Sequence, residues 1–220
     1  MKKRIVNLEE LYTKMEQQMS ERRWWDTDDP WEIMIGAILV QNTNWKNVDY
    51  SLVNLKEATD FEPRFMLGLD LADLQRLIRP SGFYKNKSQT IQALLQWTET
   101  YGFDLERIKQ KKQEILREEL LAIKGVGFET ADVLLVFIFE KIAFIADRYA
   151  QRLFQRLGVE QVLNYQKLQS IILLPESFTT SQAQKLHGWI VEYGQLYLRN
   201  EVTWANGFLK DFQLKWTVEK

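Results

Sequence analysis

Cysteine is absent from this sequence, which excludes disulfides, thiolate zinc sites, catalytic thiols and cysteine-ligated iron–sulfur clusters. A surplus of positive charge is missing too: 29 Lys and Arg face 30 Asp and Glu, a net charge of −1. A nucleic-acid-binding function would therefore need a local basic face rather than bulk charge. No apolar run reaches the roughly 18 residues of a membrane span. The basic start, Met1-Lys2-Lys3-Arg4, leads into Asn7-Leu8-Glu9-Glu10, which reads as a capped amphipathic helix and not as a signal segment. The expectation is a soluble cytoplasmic protein with no membrane partner.

What is present is a globular chain. Over 220 residues, 45% are hydrophobic and 27% charged, enough for one large or two small domains with a real core. Eight residues are tryptophan, three of them close together.

Helical periodicity dominates, with no convincing alternating strand. Leu8, Leu11, Tyr12, Met15 and Met19 line one face of a first helix. Asp29-Pro30-Trp31-Glu32 reads as N-cap, N1 proline and capping-box glutamate. It opens a nearly all-apolar helix, Ile33 to Val40, which must be buried on every side. Gln41-Asn42-Thr43-Asn44 stops it, and further helices are predicted over 45–58, 71–78, 87–101, 105–123, 128–140 and 147–157. Two or three more close the chain, the clearest over 181–198. Repeats, linkers and low-complexity tracts are lacking. The fold class is all-α, in two lobes.

One stretch is more informative than the rest: Leu120-Leu121-Ala122-Ile123-Lys124-Gly125-Val126-Gly127-Phe128-Glu129-Thr130-Ala131-Asp132. Two glycines flanking a valine between helices make a tight turn with backbone N–H groups at the start of the second helix. Such termini bind phosphate through those donors and the helix dipole. Read alone, the same residues also fit a helix C-cap followed by an ordinary turn.

This segment resembles the helix-hairpin-helix signature of the endonuclease III superfamily of DNA glycosylases, and the resemblance runs from about residue 30 to 198. Ile145-Ala146-Asp147 is similar to the segment carrying that family's catalytic aspartate. Arg152 and Arg156 match basic positions on the helix after it. Ile35 to Thr43 resembles the family's buried helix with its minor-groove-probing glutamine, here Gln41, beside Asn42. Ile78 to Lys87, with Gly82-Phe83-Tyr84 inside it, and His187 to Gly194 resemble two further segments. The resemblance implies a six-helix barrel over about 30–141, and a second lobe from 1–29 and 142–220 carrying Asp147. It further implies double-stranded DNA containing a damaged base as partner, bound between the lobes. The hairpin residues Lys124, Gly125, Val126 and Gly127, with Arg148, would meet the backbone. A monomer is expected.

Two departures bear on the subfamily. Leu198 stands where the family's first cluster cysteine would be, so the C-terminal lobe must hold together by packing, with Tyr197, Trp204 and Phe208 as candidates. The lysine that gives bifunctional members their strand-cleaving chemistry is replaced by Glu129, and a carboxylate cannot form a Schiff base. Monofunctional hydrolysis is the expectation. The combination is most similar to the cluster-free 3-methyladenine DNA glycosylases, whose base pocket is walled by aromatics near Trp24, Trp25 and Trp45. An N3-methylated purine is cationic, so aromatic faces attract it by about 0.5–2 kcal/mol each. Gln195 stands nearest to a pocket lysine of that subgroup. Relatives also hold a monovalent cation at the hairpin, which maps here to the carbonyls of Leu121, Ile123 and Val126. No other cofactor is implied.

Each residue has a plainer reading as well. Asp147 is a good helix N-cap, and capping and catalysis are compatible there. Glu129 fits a pocket or water-positioning group, or a first-turn carboxylate favoured by the helix dipole. Arg148, Arg152 and Arg156 recur every four residues and, with Lys85 and Lys87, form either the missing basic surface or a solvated stripe. Gln41 fits a filler for the gap left by an extruded base or a C-cap. Paired tryptophans are often core, and His187 reads as a buried structural group. Three function classes stay open: a glycosylase for alkylated purines, one for another lesion such as an oxidised pyrimidine or mismatched base, with or without lyase activity, and a non-catalytic DNA-distortion binder.

Overall fold

A computed structural model describes residues 2–20, 24–161 and 163–219. The first residue of the basic start and residues 21–23 of the expected N-terminal part of the second lobe lie outside that range. The chain divides into two compact units. One is Trp25–Lys141; the other joins the N-terminal residues up to Trp24 with the chain from Ile142 onward.

The regular elements of the central unit are all helices. Helix α2 (Pro30–Leu39) starts where Asp29 accepts from the Trp31 and Glu32 amides and Pro30 occupies N1. Its residues Ile33 to Leu39 are all buried, as a helix apolar on every face requires. Asn44 caps α3 (Trp45–Thr59). A short α4 (Pro63–Gly68), capped by Glu62, precedes α5 (Leu71–Leu77) and a 3-10 turn, Arg79–Ser81. Then come α6 (Tyr84–Glu99), α7 (Leu105–Lys109), α8 (Gln113–Ala122) and α9 (Phe128–Phe137).

Three details differ from expectation. Helix α4 has only six residues, too few to show a period. Helix α6 begins one turn early. The single helix expected over 105–123 breaks at Gln110–Lys112, although no glycine or proline stands there. The break lets Lys111 turn its ammonium onto the Tyr101 hydroxyl and the Glu119 carboxylate, both at 2.8 Å. Glu119 also accepts from Trp97 Nε1. A tertiary hub outweighs local helix propensity.

In the other unit, α1 (Leu8–Gln18) buries Leu8, Leu11, Tyr12 and Met15. Helices α10 (Arg148–Arg156), α11 (Tyr165–Ile171), α12 (Thr180–Tyr197) and α13 (Glu201–Ala205) follow. The absence of strands is corrected: β1 (Lys2–Ile5) pairs antiparallel with β2 (Trp216–Glu219). Two four-residue strands from opposite chain ends leave no local alternation to read. In the C-terminal stretch Tyr193 packs on Tyr197, Phe208 and Trp204 with ring centroids 4.7, 5.0 and 6.4 Å away. A Cβ on Gly207 would come within 2.2 Å of the Tyr193 hydroxyl oxygen. This aromatic cluster, with the expected Tyr197, Trp204 and Phe208, supplies the packing that a cysteine-free lobe needs.

Candidate active site

The hairpin between α8 and α9 is built as a rigid turn. Gly125 has φ +90, and a Cβ there would lie 1.9 Å from Thr90 Oγ1, so the position excludes any side chain. Gly127 is the N-cap of α9 in extended conformation, with nothing within 4 Å of its would-be Cβ. A helix start of this kind carries amides that its own turns do not use. Lys124 and both glycines are exposed, whereas Val126 is buried. The Lys124 ammonium donates to Gln89 Oε1 at 3.2 Å. The Ile123 carbonyl accepts from the Val126 amide at 3.0 Å and keeps a second lone pair.

A brace that the sequence reading missed fixes the two hairpin helices. Asp132 is fully buried, and Arg117 donates to both its oxygens, Nε at 2.7 Å and a terminal nitrogen at 3.0 Å. Such bidentate pairs are strong and directional. Arg117 and Asp132 lie 15 positions apart across the turn, and that spacing was the only available signal.

Gln41 meets this turn directly. Its Nε2 donates to Thr130 Oγ1 at 2.8 Å and to the Gly125 carbonyl at 3.4 Å. Asn42 follows with φ +53 and is exposed. Glu129 is exposed on the first turn of α9.

Two of the three candidate pocket tryptophans come together. Trp25 and Trp45 pack edge to face with centroids 5.2 Å apart, and Phe137 meets Trp25 at 6.2 Å. Trp25 is buried over Gly36, where a Cβ would come within 2.7 Å of its ring, while Trp45 is half-buried. The Trp25 indole N–H is buried without a hydrogen-bond acceptor. Trp24 belongs to the other unit, edge-on to His187 with centroids 5.4 Å apart. Burial pushes the His187 imidazole down to about 4. Gln195 is exposed.

Asp147 is 6% exposed and caps α10, accepting from the Ala150 amide at 2.7 Å. Behind it the arginine stripe is divided. Arg148 is exposed, but Arg152 donates to the Leu198 carbonyl, and Arg156 pairs with Glu201 at 2.7 Å and lies 6.0 Å from the Trp204 ring centroid. The C-terminal segment thus engages two of the three. Lys87 is corrected outright: it is buried, with its ammonium on two backbone carbonyls, and adds nothing to a basic surface. Among the described residues no cluster of His, Asp or Glu could hold a metal ion, and no helix is long and apolar enough to cross a membrane.

Residues 35–173 match the model of the HhH-GPD superfamily base excision DNA repair proteins. The chain belongs to that superfamily. A Methanocaldococcus jannaschii protein, provisionally named a DNA repair glycosylase, is 35% identical over 93% of this chain and 94% of its own. Endonuclease III of Thermotoga maritima is 29% identical over 76% and 74%. Among solved structures, H. pylori 3-methyladenine DNA glycosylase bound to 1,N6-ethenoadenine superposes with a TM-score of 0.71. It is 26% identical, with 86% of this chain and 96% of that one covered. An endonuclease III–DNA complex, at 20% identity and TM-score 0.69, shares the fold. The HhH-GPD chain is therefore a DNA glycosylase of base excision repair. With no cysteine it cannot carry the cysteine-ligated cluster.

Proposed function

We propose that this HhH-GPD glycosylase hydrolyses the N-glycosidic bond of a flipped-out alkylated purine such as 3-methyladenine, without lyase activity, as a cytoplasmic monomer. The observation that carries the substrate class is the Trp25–Trp45 pair with its unsatisfied indole N–H. A buried donor without acceptor is costly, and an acceptor on a bound base would offset that cost. The rings stack on any base and attract a cationic one further. The likeness to the H. pylori 3-methyladenine glycosylase supports the same reading.

In this mechanism Asp147 is the catalytic carboxylate. The bond from C1′ to the base breaks with its electron pair going to the base, and an N-alkylated cationic purine leaves neutral. Positive charge develops at C1′, where Asp147 stabilises it. Water then adds to C1′ and gives its proton to Asp147. Glu129 orients that water. Because Glu129 stands where an amine would be needed, no Schiff base forms and the strand stays intact. Gln41 and Asn42 fill the gap left by the base. Lys124, Gly125, Val126 and Gly127, with Arg148, hold the backbone, while the Leu198 carbonyl engages Arg152. The carbonyls of Leu121, Ile123 and Val126 would hold a monovalent cation, which would add positive charge at the hairpin for a backbone phosphate.

Two substitutions test the pocket. Trp25→Phe keeps the ring and removes the N–H, and Trp45→Leu keeps apolar volume and removes the π-face. Trp45→Leu is expected to lower kcat/KM on 3-methyladenine roughly tenfold, the worth of one stacking contact, with little change in Tm. A large Tm loss with unchanged kinetics in the folded fraction would make these rings core and remove the substrate assignment.

A further inference from the structure

Lys87 is a cationic side chain shut away from water, 3% exposed. From the first turn of α6 its Nζ donates to the Leu39 carbonyl at 2.8 Å and the Ser81 carbonyl at 2.7 Å. Leu39 ends α2, so its carbonyl lacks a partner inside the helix and sits at the negative end of the dipole. Ser81 ends the 3-10 turn and is itself pinned. Its amide donates to Ser51 Oγ at 3.1 Å, and its hydroxyl donates to the Ile78 carbonyl at 2.8 Å. Burial pushes the Lys87 amine down to about 8, which leaves it charged at neutral pH. Two residues after Leu39 comes Gln41, whose side chain is held separately by Thr130 and Gly125.

We propose that Lys87 is a positioning residue: its buried ammonium locks the end of α2 to the 79–81 turn and so holds Gln41 as the damaged duplex requires. This rests on the reading of Gln41 as the group that fills the gap left by the extruded base. The physical basis is short. The backbone of Gln41 moves with the Leu39 carbonyl, because only Val40 separates them. The hairpin can hold the side-chain amide but not the backbone behind it. Replacing Lys87 by an apolar residue leaves two buried carbonyls unsatisfied and frees the last turn of α2 to fray.

The test compares affinity for a duplex bearing an abasic-site analogue with affinity for the undamaged duplex. The comparison is made well below the Tm of each variant. Lys87→Met, which keeps the apolar stem, is expected to lower that preference roughly tenfold, the scale of one lost hydrogen bond to a charged group. Affinity for undamaged DNA should hold. Gln41→Ala is expected to lower the preference similarly, and the double variant no further than Gln41→Ala alone. A purely structural lysine would lower Tm and leave the preference untouched. An unchanged preference in Lys87→Met overturns the proposal, as does an additive loss in the double variant or a loss where Gln41→Ala has none. If Lys87→Met does not fold, Lys87→Gln, which retains one donor pair, carries the same comparison with a smaller expected loss. The ratio involves no base release, so a wrong lesion assignment would show in glycosylase assays and leave this result standing.

Discussion

The side-chain amide of Gln41 donates to the Thr130 hydroxyl at 2.8 Å across 89 positions of sequence. A residue two positions beyond α2 is thereby tied to the first turn of α9, within the hairpin that defines the superfamily. A side chain ordered before DNA arrives loses less freedom on binding than an exposed one would. Gln41 is thus held in place by the hairpin's own hydrogen bonds.

The two hairpin glycines are expected to respond differently to alanine. At Gly125 the φ of +90 and the clash with Thr90 should cost on the order of 1–3 kcal/mol of stability, read as a lowered Tm. At Gly127 the space is open, and a poorer N-cap should cost about 1 kcal/mol or less. Gly127→Ala should nevertheless weaken binding to undamaged and damaged duplexes alike, because the new methyl stands before the first amides of α9. Undiminished binding by Gly127→Ala would remove those amides from the phosphate site.

Asp147→Asn separates chemistry from architecture. Asparagine caps helices about as well as aspartate, so α10 and Tm should be nearly unchanged. Base release should fall by at least 100-fold, the usual scale for a positioned acid–base group, while abasic DNA still binds. Full activity in this variant would end the catalytic assignment.

His187 gives a dependence on pH with a definite sign. Its imidazole titrates near 4 in the folded protein, against an ordinary value of 6.5. Between those values the unfolded chain holds a proton that the folded one does not. Stability should therefore fall as pH drops from 6.5 toward 4, by about 1.4 kcal/mol per pH unit from this group, with no contribution above 6.5. Urea unfolding of wild type and His187→Gln at pH 7, 6 and 5 measures it. Equal slopes in the two proteins would contradict the burial of His187.

Much of this was legible in the sequence because local signals stood where the fold needed them. Asp29 and Asp147 each announced a helix start by residue type, and each caps one. The unbroken apolar run from Ile33 required a buried helix. Long-range partners were not legible. Nothing near Lys87 says that its charge would turn inward onto Leu39 and Ser81, and a lysine four residues from a loop reads by default as surface. Likewise β1 and β2 are strands only because the chain ends meet, and α7 parts from α8 because of Glu119, Tyr101 and Trp97. The arginines of α10 show the proper period, but the carbonyl of Leu198 and the carboxylate of Glu201 come from segments 46 and 45 residues away.

The most direct test of the central claim is a single-turnover reaction on a duplex carrying one 3-methyladenine, analysed for free base and, separately, for strand breaks before and after hot alkali. Borohydride is added to a parallel sample. The account predicts free 3-methyladenine, an intact strand until alkali is applied, and no protein–DNA adduct trapped by borohydride. Strand cleavage without alkali, or a trapped adduct, would contradict the role given to Glu129. No base released from this duplex, with release from one bearing an oxidised pyrimidine or a mismatched base, would contradict the alkylated-purine assignment.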